Sequence, residues 1–283
     1  MRRMLHIAIA LMLLPAAAVI LLPAAATAQY NCSIYKDSSY ARACRIYNYA
    51  GDSLIQGSAK CEHWLDSAIA TCPGFAPAWH EKSVPYLKRG DFVTWRRILD
   101  KAVDLDPRQF LAYRGWCRFE FLRDYAGAME DLRRFDTLSE FSHTSSNDGD
   151  YELHLVMALC ERELGDTGAA FHYFGVAMDA DSTNAGLYGW LHLGVTRLGV
   201  RDYRGAIAAL EHENRVYEQF ADTWYWLGRV YLATGQRALA KKMFLHAMEL
   251  MNDHSGRYHL HGPYCEKLDA IYASDIDAAL ADL

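Results

Sequence analysis

Two short stretches of the sequence carry residue types that occur at active sites. His212-Glu213 begins like the zinc-protease motif H-E-x-x-H, but Val216 stands where the second histidine is needed. Gly51-Asp52-Ser53-Leu54-Ile55 begins like the nucleophile elbow G-x-S-x-G and lacks the final glycine. No phosphate-binding loop or dinucleotide fingerprint occurs. The sequence therefore predicts a protein that is not an enzyme and needs no cofactor; an enzyme on a helical scaffold remains the alternative.

A third group of chemically capable residues lies near the end of the chain. His259, His261 and Cys265 are all ligand types that zinc accepts. A single residue between two histidines carries little information, however, and the surrounding stretch is polar. We therefore predict a solvated linker here and no metal site.

The overall charge argues against nucleic acid as a partner. The 283 residues include 29 Lys+Arg and 35 Asp+Glu, for a net charge of −6, and no basic stripe is visible. Attraction to phosphate needs clustered Lys and Arg side chains. Hydrophobic residues make up 52% of the chain, which is enough for a sizeable core.

Residues 1–28 are typical of a secretory signal. Two arginines supply the positive end, His6–Leu22 is an apolar core interrupted by Pro15, and Ala26-Thr27-Ala28 is a small-residue cleavage motif. The sequence predicts cleavage before Gln29 and a periplasmic or secreted protein with no membrane insertion after cleavage. The alternative is an uncleaved N-terminal membrane anchor, because the apolar stretch is long for a signal.

One stretch, Ala221–His254, organises the rest of the chain. Small and large apolar residues recur at fixed positions within its 34 residues: Trp224, Leu227, Gly228, Tyr231, Ala240, Phe244 and Ala247. Gly235 is expected to end the first of two helices, because a residue with positive φ is needed there. The spacing resembles the tetratricopeptide repeat (TPR), a helix–turn–helix unit of about 34 residues.

Weaker copies of this pattern precede it. After a lead-in over 29–41, the repeats are predicted at about 42–75, 76–108, 109–142, 151–184 and 187–220, with the last at 221–254. Three residues depart from the pattern. Pro85 should kink or shorten its helix, Trp95 replaces a small residue, and Trp116 occupies the position usually held by glycine.

Two further segments lie outside the repeats. Residues 142–150 are polar and rich in turn formers, which predicts a surface insertion. Residues 255–283 are predicted to form a linker followed by capping helices at 265–272 and 275–283. The resemblance thus implies an all-α, right-handed TPR superhelix of five to six hairpins with a C-terminal cap and no sheet.

Part of the resemblance is narrower than the general repeat. The sequences of Glu81–Phe92, Tyr113–Phe119, Phe121–Leu132 and Gly186–Val195 are similar to those of a group of exported bacterial TPR proteins. This similarity implies a bacterial envelope protein. It is consistent with the signal-like N-terminus.

The TPR resemblance also implies where a partner would bind. First helices of TPR hairpins line a concave groove, and the candidate binding residues at these positions are Tyr113, Phe121, Arg162, Tyr188, Tyr225 and Arg229. The expected ligand is a protein or peptide with apolar anchors and some acidic residues that pair with the arginines. The Lys/Asn clamp of chaperone-binding TPRs is absent, with His80 and Val84 at two of its positions. Two alternatives stay open: the groove is covered by the insertion or the C-terminal cap, or the protein self-associates through its solenoid ends as a structural envelope component.

Seven cysteines, at 32, 44, 61, 72, 117, 160 and 265, leave at least one unpaired. Cys61 and Cys72 are 11 residues apart on one predicted helix, too far for a disulfide. Cys44–Cys61 and Cys117–Cys160 are geometrically possible pairs. Buried thiols are expected for at least three of the seven.

Overall fold

A computed structural model describes residues 30–138, 145–180, 186–253 and 265–283. The predicted signal and the candidate ligands His259 and His261 lie outside these ranges. The α-helices are α1 Ser38–Ser53, α2 Ala59–Thr71, α3 Ala76–Lys88, α4 Phe92–Leu105, α5 Pro107–Cys117, α6 Tyr125–Leu138, α7 Leu153–Leu164, α8 Thr167–Ala180, α9 Gly189–Gly199, α10 Tyr203–Val216, α11 Ala221–Ala233, α12 Arg237–Asn252 and α13 Ala273–Ala281.

The first twelve helices pair in sequence order into six hairpins, α1 with α2 through α11 with α12, and each hairpin packs on the next. Helix α13 packs against α12 and closes the end of the array. Within the described ranges there is no strand, and strand-like pairing is confined to isolated bridge positions, among them the bridge between Ser145 and Glu152. The predicted all-α fold is confirmed: it has six hairpins, where five to six were predicted, and a C-terminal capping helix.

The turn inside each hairpin contains a residue with positive φ, and in the first five hairpins the next residue caps the second helix with its side chain. Gly90 has φ +76° at the end of α3, and the next residue, Asp91, caps α4 by accepting a hydrogen bond from the Thr94 N–H. Glycine suits the first position because it has no Cβ to clash, and aspartate suits the second because it satisfies a free helix N–H. Gly235 ends α11 with φ +76°, as predicted.

Small residues set the spacing between the two helices of a hairpin. A Cβ on Gly228 would lie 2.6 Å from the Phe244 ring, and one on Gly194 would lie 2.5 Å from Leu210. In the third hairpin Gly115, not the neighbouring position 116, makes this close approach, because its Cβ would lie 2.9 Å from Leu132. Trp116 therefore does not replace the packing glycine, and the predicted alignment of the first helix of this repeat is wrong by one residue.

A local change of helix type explains the shifted alignment. Residues Arg118–Leu122 form a π-helical turn directly after α5. A π-helical turn accommodates one more residue than an α-helical turn. The glycine and its partner across the hairpin are accordingly one residue further apart in the third hairpin than in the fifth and sixth.

The other two departures from the pattern have limited consequences. Trp95 is fully buried in the core of the second hairpin. Pro85 lies inside α3, which continues to Lys88, so the helix is not shortened there. Its ring packs near Gly57 of the first hairpin's turn.

The one disulfide among the described residues joins Cys32 and Cys44 and ties the N-terminal lead-in to α1. The two pairs judged possible from the sequence, Cys44–Cys61 and Cys117–Cys160, do not form. Cys61, Cys72, Cys117 and Cys160 are buried free thiols, in agreement with the expectation of at least three. Cys32 lies before the first predicted hairpin, and both pairs judged possible join helices of predicted hairpins. Helix spacing therefore did not indicate a disulfide between Cys32 and Cys44.

The C-terminal region differs most from prediction. Residues 265–272 are not helical, and only Ala273–Ala281 forms a capping helix. No helix within the described ranges has the length and apolar character needed to cross a membrane.

Candidate functional site

The C-terminal segment, Cys265–Tyr272, crosses the face formed by the first helices of hairpins three to six. Trp226 of α11 donates from its ring nitrogen to the Asp269 carbonyl at 2.8 Å. The Ile271 N–H donates to the Asp222 carboxylate at 3.0 Å. Near its start, the segment accepts a hydrogen bond from Arg123 at the Glu266 carbonyl. The chain therefore covers much of its own groove.

Lys267 anchors this segment at its N-terminal side. Its ammonium lies 2.8 Å from Asp150 and 3.3 Å from both Asp148 and Glu120, and the residue is only 6% exposed. Burial alone would lower the pKa of Lys267, but the surrounding carboxylates, Glu120 foremost, hold it well above its usual value. Lys267 is thus a fixed cation, positioned by the insertion (Asp148, Asp150) and by the π-helical turn.

Asp269 forms the second anchor. One of its oxygens accepts from Arg162 at 2.8 Å and lies 2.7 Å from His192 Nδ1. Burial opposes ionisation, but the Arg162 guanidinium keeps the pKa of Asp269 below its usual value. The pKa of the fully buried His192 is lowered by desolvation, against the opposing effect of Asp269.

These contacts change the interpretation of four candidate groove residues. Arg162 pairs with Asp269 and Glu163, so it is not free for a partner. Tyr188 and Tyr225 are each 4% exposed and belong to the core. Arg229 is exposed and donates to the Tyr225 hydroxyl at 2.8 Å. The open alternative, in which the chain covers its own groove, is the one that the structure shows for hairpins four to six.

Two of the candidates, Tyr113 and Phe121, line a cavity that stays open. This cavity has a volume of about 490 Å³ and lies between α3, α5, the π-helical turn, the insertion and the start of the C-terminal segment. We call it the aromatic–acidic cavity. Its aromatic and acidic lining residues are His80, Glu81, Tyr113, Trp116, Glu120, Phe121, Asp148 and Asp150.

A second cavity, of about 610 Å³, continues from it toward the first hairpin. The two share His80, Glu81 and Tyr113, so together they form one groove across hairpins one to three. The His80 ring stacks on Phe110 at 4.9 Å and meets the Tyr113 ring edge-on at 4.5 Å. Burial lowers the pKa of His80 to about 4, so this wall is uncharged at neutral pH.

Two polar atoms in the aromatic–acidic cavity have no hydrogen-bond partner in the described part of the chain: Glu120 Oε2 and Trp116 Nε1. Glu120 is 3% exposed and Trp116 is 6% exposed. Burial raises the pKa of Glu120, while Lys267 opposes this effect. A hydrogen-bonding group that enters the cavity would supply a partner to either atom.

The metal interpretation of the C-terminus gains no support from the described residues. The Cys265 thiol lies 3.5 Å from Glu120, and burial raises its pKa to about 12. No group of three or more His, Cys, Asp or Glu side chains within the described ranges is arranged to hold a metal ion.

Sequence reasoning missed Trp116 and the two insertion carboxylates as site residues. Glu120 stands at a groove-facing position of the third repeat, but the candidate set left it out. Asp148 and Asp150 lie in a stretch whose composition is typical of a surface turn. Their contact with Lys267 follows from the tertiary fold and not from any local pattern. The signal that existed was the unexpected tryptophan at position 116. A large aromatic residue at a tightly packed position indicates a local change in backbone geometry, which here is the π-helical turn.

Comparison with known proteins supports the class of fold. Residues 221–254 match the tetratricopeptide repeat family model. No protein among those with curated function matches the sequence significantly. The chain therefore carries a TPR unit in its sixth hairpin and folds as a TPR solenoid.

Three solved structures are similar to this fold over most of the chain. The type IV pilus biogenesis factor PilW is 14% identical, with a TM-score of 0.61, over 78% of this chain and 97% of PilW. PilF of Pseudomonas aeruginosa is 16% identical, with a TM-score of 0.59, over 78% and 96%. YrrB, described as a TPR protein with an unusual peptide-binding site, is 16% identical, with a TM-score of 0.51, over 68% and 94%. A fold of this class supports a role as a protein-interaction scaffold.

Proposed function

We propose that this protein is an exported scaffold that binds a peptide segment of a partner protein in the groove of hairpins one to three. The proposal rests on one observation: part of the face formed by the first helices of the hairpins is covered, and part is open. The chain's own C-terminal segment fills the face over hairpins four to six, whereas two connected cavities remain open over hairpins one to three.

The open groove has the character of a peptide site. Its walls combine aromatic rings from α3 and α5 with a few placed polar groups, as ligand sites generally do. YrrB, which shares the fold, is described as having a peptide-binding site. The C-terminal segment, which is not helical, lies against the neighbouring part of the same face.

Export is supported by two independent features. Residues 1–28 have the organisation of a secretory signal. The Cys32–Cys44 disulfide is of the kind that forms and persists in oxidising compartments such as the periplasm. Cell fractionation with N-terminal sequencing tests this part: a chain that begins at Met1 and stays in the cytoplasm would refute it.

The groove is tested by blocking it. Val84 lines the aromatic–acidic cavity from α3, whereas Val93 on α4 is 83% exposed and lines neither cavity of the groove. Val84→Arg should abolish capture of peptides from a displayed random dodecamer library by the full chain, and the matched Val93→Arg should leave capture intact. Equal capture by both variants and the unchanged protein would show that binding does not use this groove.

A further inference from the structure

Glu120 occupies an incomplete polar site at the floor of the aromatic–acidic cavity. Its Oε1 lies 3.3 Å from Lys267 Nζ and 3.5 Å from the Cys265 thiol. Its Oε2 is buried and has no partner within the described ranges. A buried carboxylate oxygen left without a donor is destabilising, so the atom is set to accept a hydrogen bond from an incoming group.

The charges around this oxygen favour a cation as that group. Glu120, Asp148 and Asp150 share the single ammonium of Lys267, and Glu81 adds a further carboxylate to the lining. The other lysine of the lining, Lys88, is exposed and donates to the Gln56 side chain. Opposite charges attract more strongly where water is partly excluded, so a cation gains from entering and an anion does not.

One further cation lies close to this group. Arg123 affects the ionisation of Glu120 but does not line the cavity. It donates instead to the Glu266 carbonyl of the C-terminal segment. The cavity itself therefore keeps an excess of carboxylates over ammonium groups.

The walls are suited to an organic cation. Trp116 and Phe121 meet edge-to-face with ring centroids 5.6 Å apart, and Tyr113 lies 6.0 Å from Trp116. Aromatic faces attract ammonium and guanidinium groups and pack against the methylene chain that carries them. The unpartnered Trp116 Nε1 is a donor, which a peptide carbonyl would satisfy.

We infer that the aromatic–acidic cavity binds the side chain of a lysine or arginine residue of the partner peptide, with Glu120 accepting from its cationic group. This inference rests on the peptide-binding function proposed above. It differs from the expectation from sequence that some acidic residues of the ligand pair with Arg162 and Arg229. Arg162 is already paired with Asp269, and Arg229 does not line this cavity.

The test compares two pools of synthetic dodecapeptides with random apolar and polar flanks. One pool has lysine or arginine fixed at the centre and the other has glutamine. Fluorescence polarisation with the full chain should show roughly tenfold tighter binding of the cationic pool, the difference expected for a hydrogen bond to a charged group. Glu120→Gln should reduce the preference to about twofold. The matched Glu130→Gln, at a side chain 80% exposed on α6, should retain it.

A second variant protects the test against a change in folding. Phe121→Leu keeps an apolar wall and removes an aromatic face, so it should lower the preference for the cationic pool by a few-fold. Melting temperatures of all variants are measured alongside. Loss of the preference in Glu120→Gln with an unchanged melting temperature supports the inference.

The outcomes separate this inference from the function on which it rests. Equal binding of both pools by the unchanged protein, abolished in Val84→Arg, would overturn the cation site and leave the peptide groove standing. Binding of both pools that is unaffected by Val84→Arg, or binding of neither pool, would overturn both.

Discussion

A buried carboxyl in the fifth hairpin makes the stability of this protein depend on pH. Glu213 of α10 is 1% exposed, and its Oε2 accepts a hydrogen bond from the Leu191 N–H at 3.2 Å. Leu191 is in the first turn of α9, a helix that receives no side-chain cap from its own preceding residue. Burial raises the pKa of Glu213 to about 8, and the backbone N–H groups of Leu191 and Trp190 partly oppose that shift.

The sign and size of the effect follow from proton linkage. The unfolded chain releases this proton near the ordinary value of 4.5, whereas the folded chain holds it until about pH 8. Stability from this group is therefore fully present below pH 4.5 and is lost as pH rises toward 8. Between pH 5 and pH 8 the loss amounts to about 3 kcal/mol for a shift of this size.

Glu213→Gln removes the titration and keeps an oxygen that accepts from the start of α9. The variant should match the unchanged protein within about 1 kcal/mol at pH 5 and exceed it by about 3 kcal/mol at pH 8. Urea unfolding followed by circular dichroism at several pH values measures this difference. Contributions from other titrating groups cancel in the comparison, and Glu130→Gln serves as the exposed control.

One result would refute the reasoning. If Glu213→Gln were less stable than the unchanged protein by the same amount at every pH, the carboxyl would be ionised in the folded chain. It would then act as a charged cap on α9, favoured by the helix dipole.

Three further predictions follow from packing, the disulfide and the C-terminal anchor. Gly228→Ala should destabilise the sixth hairpin by about 1–3 kcal/mol, because the added Cβ would lie 2.6 Å from the Phe244 ring. Gly175→Ala on α8 should stabilise the protein by about 0.5–1 kcal/mol, because the space around Gly175 is open. Thermal melts in which Gly228→Ala were the more stable of the two would contradict the packing argument. Changing Cys32 and Cys44 together to serine opens a loop of 12 residues and should cost about 3 kcal/mol, seen as faster amide exchange in α1; unchanged exchange would speak against a stabilising role. Asp269→Asn should leave the buried Arg162 guanidinium with Glu163 as its remaining ion-pair partner, cost about 3 kcal/mol and speed proteolysis of the C-terminal segment, and unchanged cleavage would show that this anchor is dispensable.

The hairpins of this fold could be predicted from the sequence because small and large apolar residues recur at fixed spacings. The match of residues 221–254 to the repeat model rests on residues such as Gly228 and Phe244, which recur because two adjacent helices must approach each other. The turns could be predicted equally well. Gly90 and Gly235 adopt positive φ and Asp91 caps a helix, and few other residue types do either well. The one extra residue in the π-helical turn shifted the first helix of the third repeat relative to its predicted alignment.

The site depended on contacts that no local pattern records. Tyr188 and Tyr225 stand at positions that face the groove in a bare array, and their burial follows from how the chain packs in the folded molecule. Arg162 meets a partner 107 residues away, and Lys267 meets one 147 residues away.

The sequence by itself determined the helical hairpins, their order and most of their turns, because those features depend on neighbours within about 34 residues. The tertiary structure alone decided which part of the inner face is open. That outcome depends on where the last residues of the chain lie, and they are held by ion pairs between segments that are distant in sequence. Lys267 and Asp269, and the carboxylates of Asp148 and Asp150, lie in stretches without periodic spacing. Only the folded chain therefore shows which groups they contact.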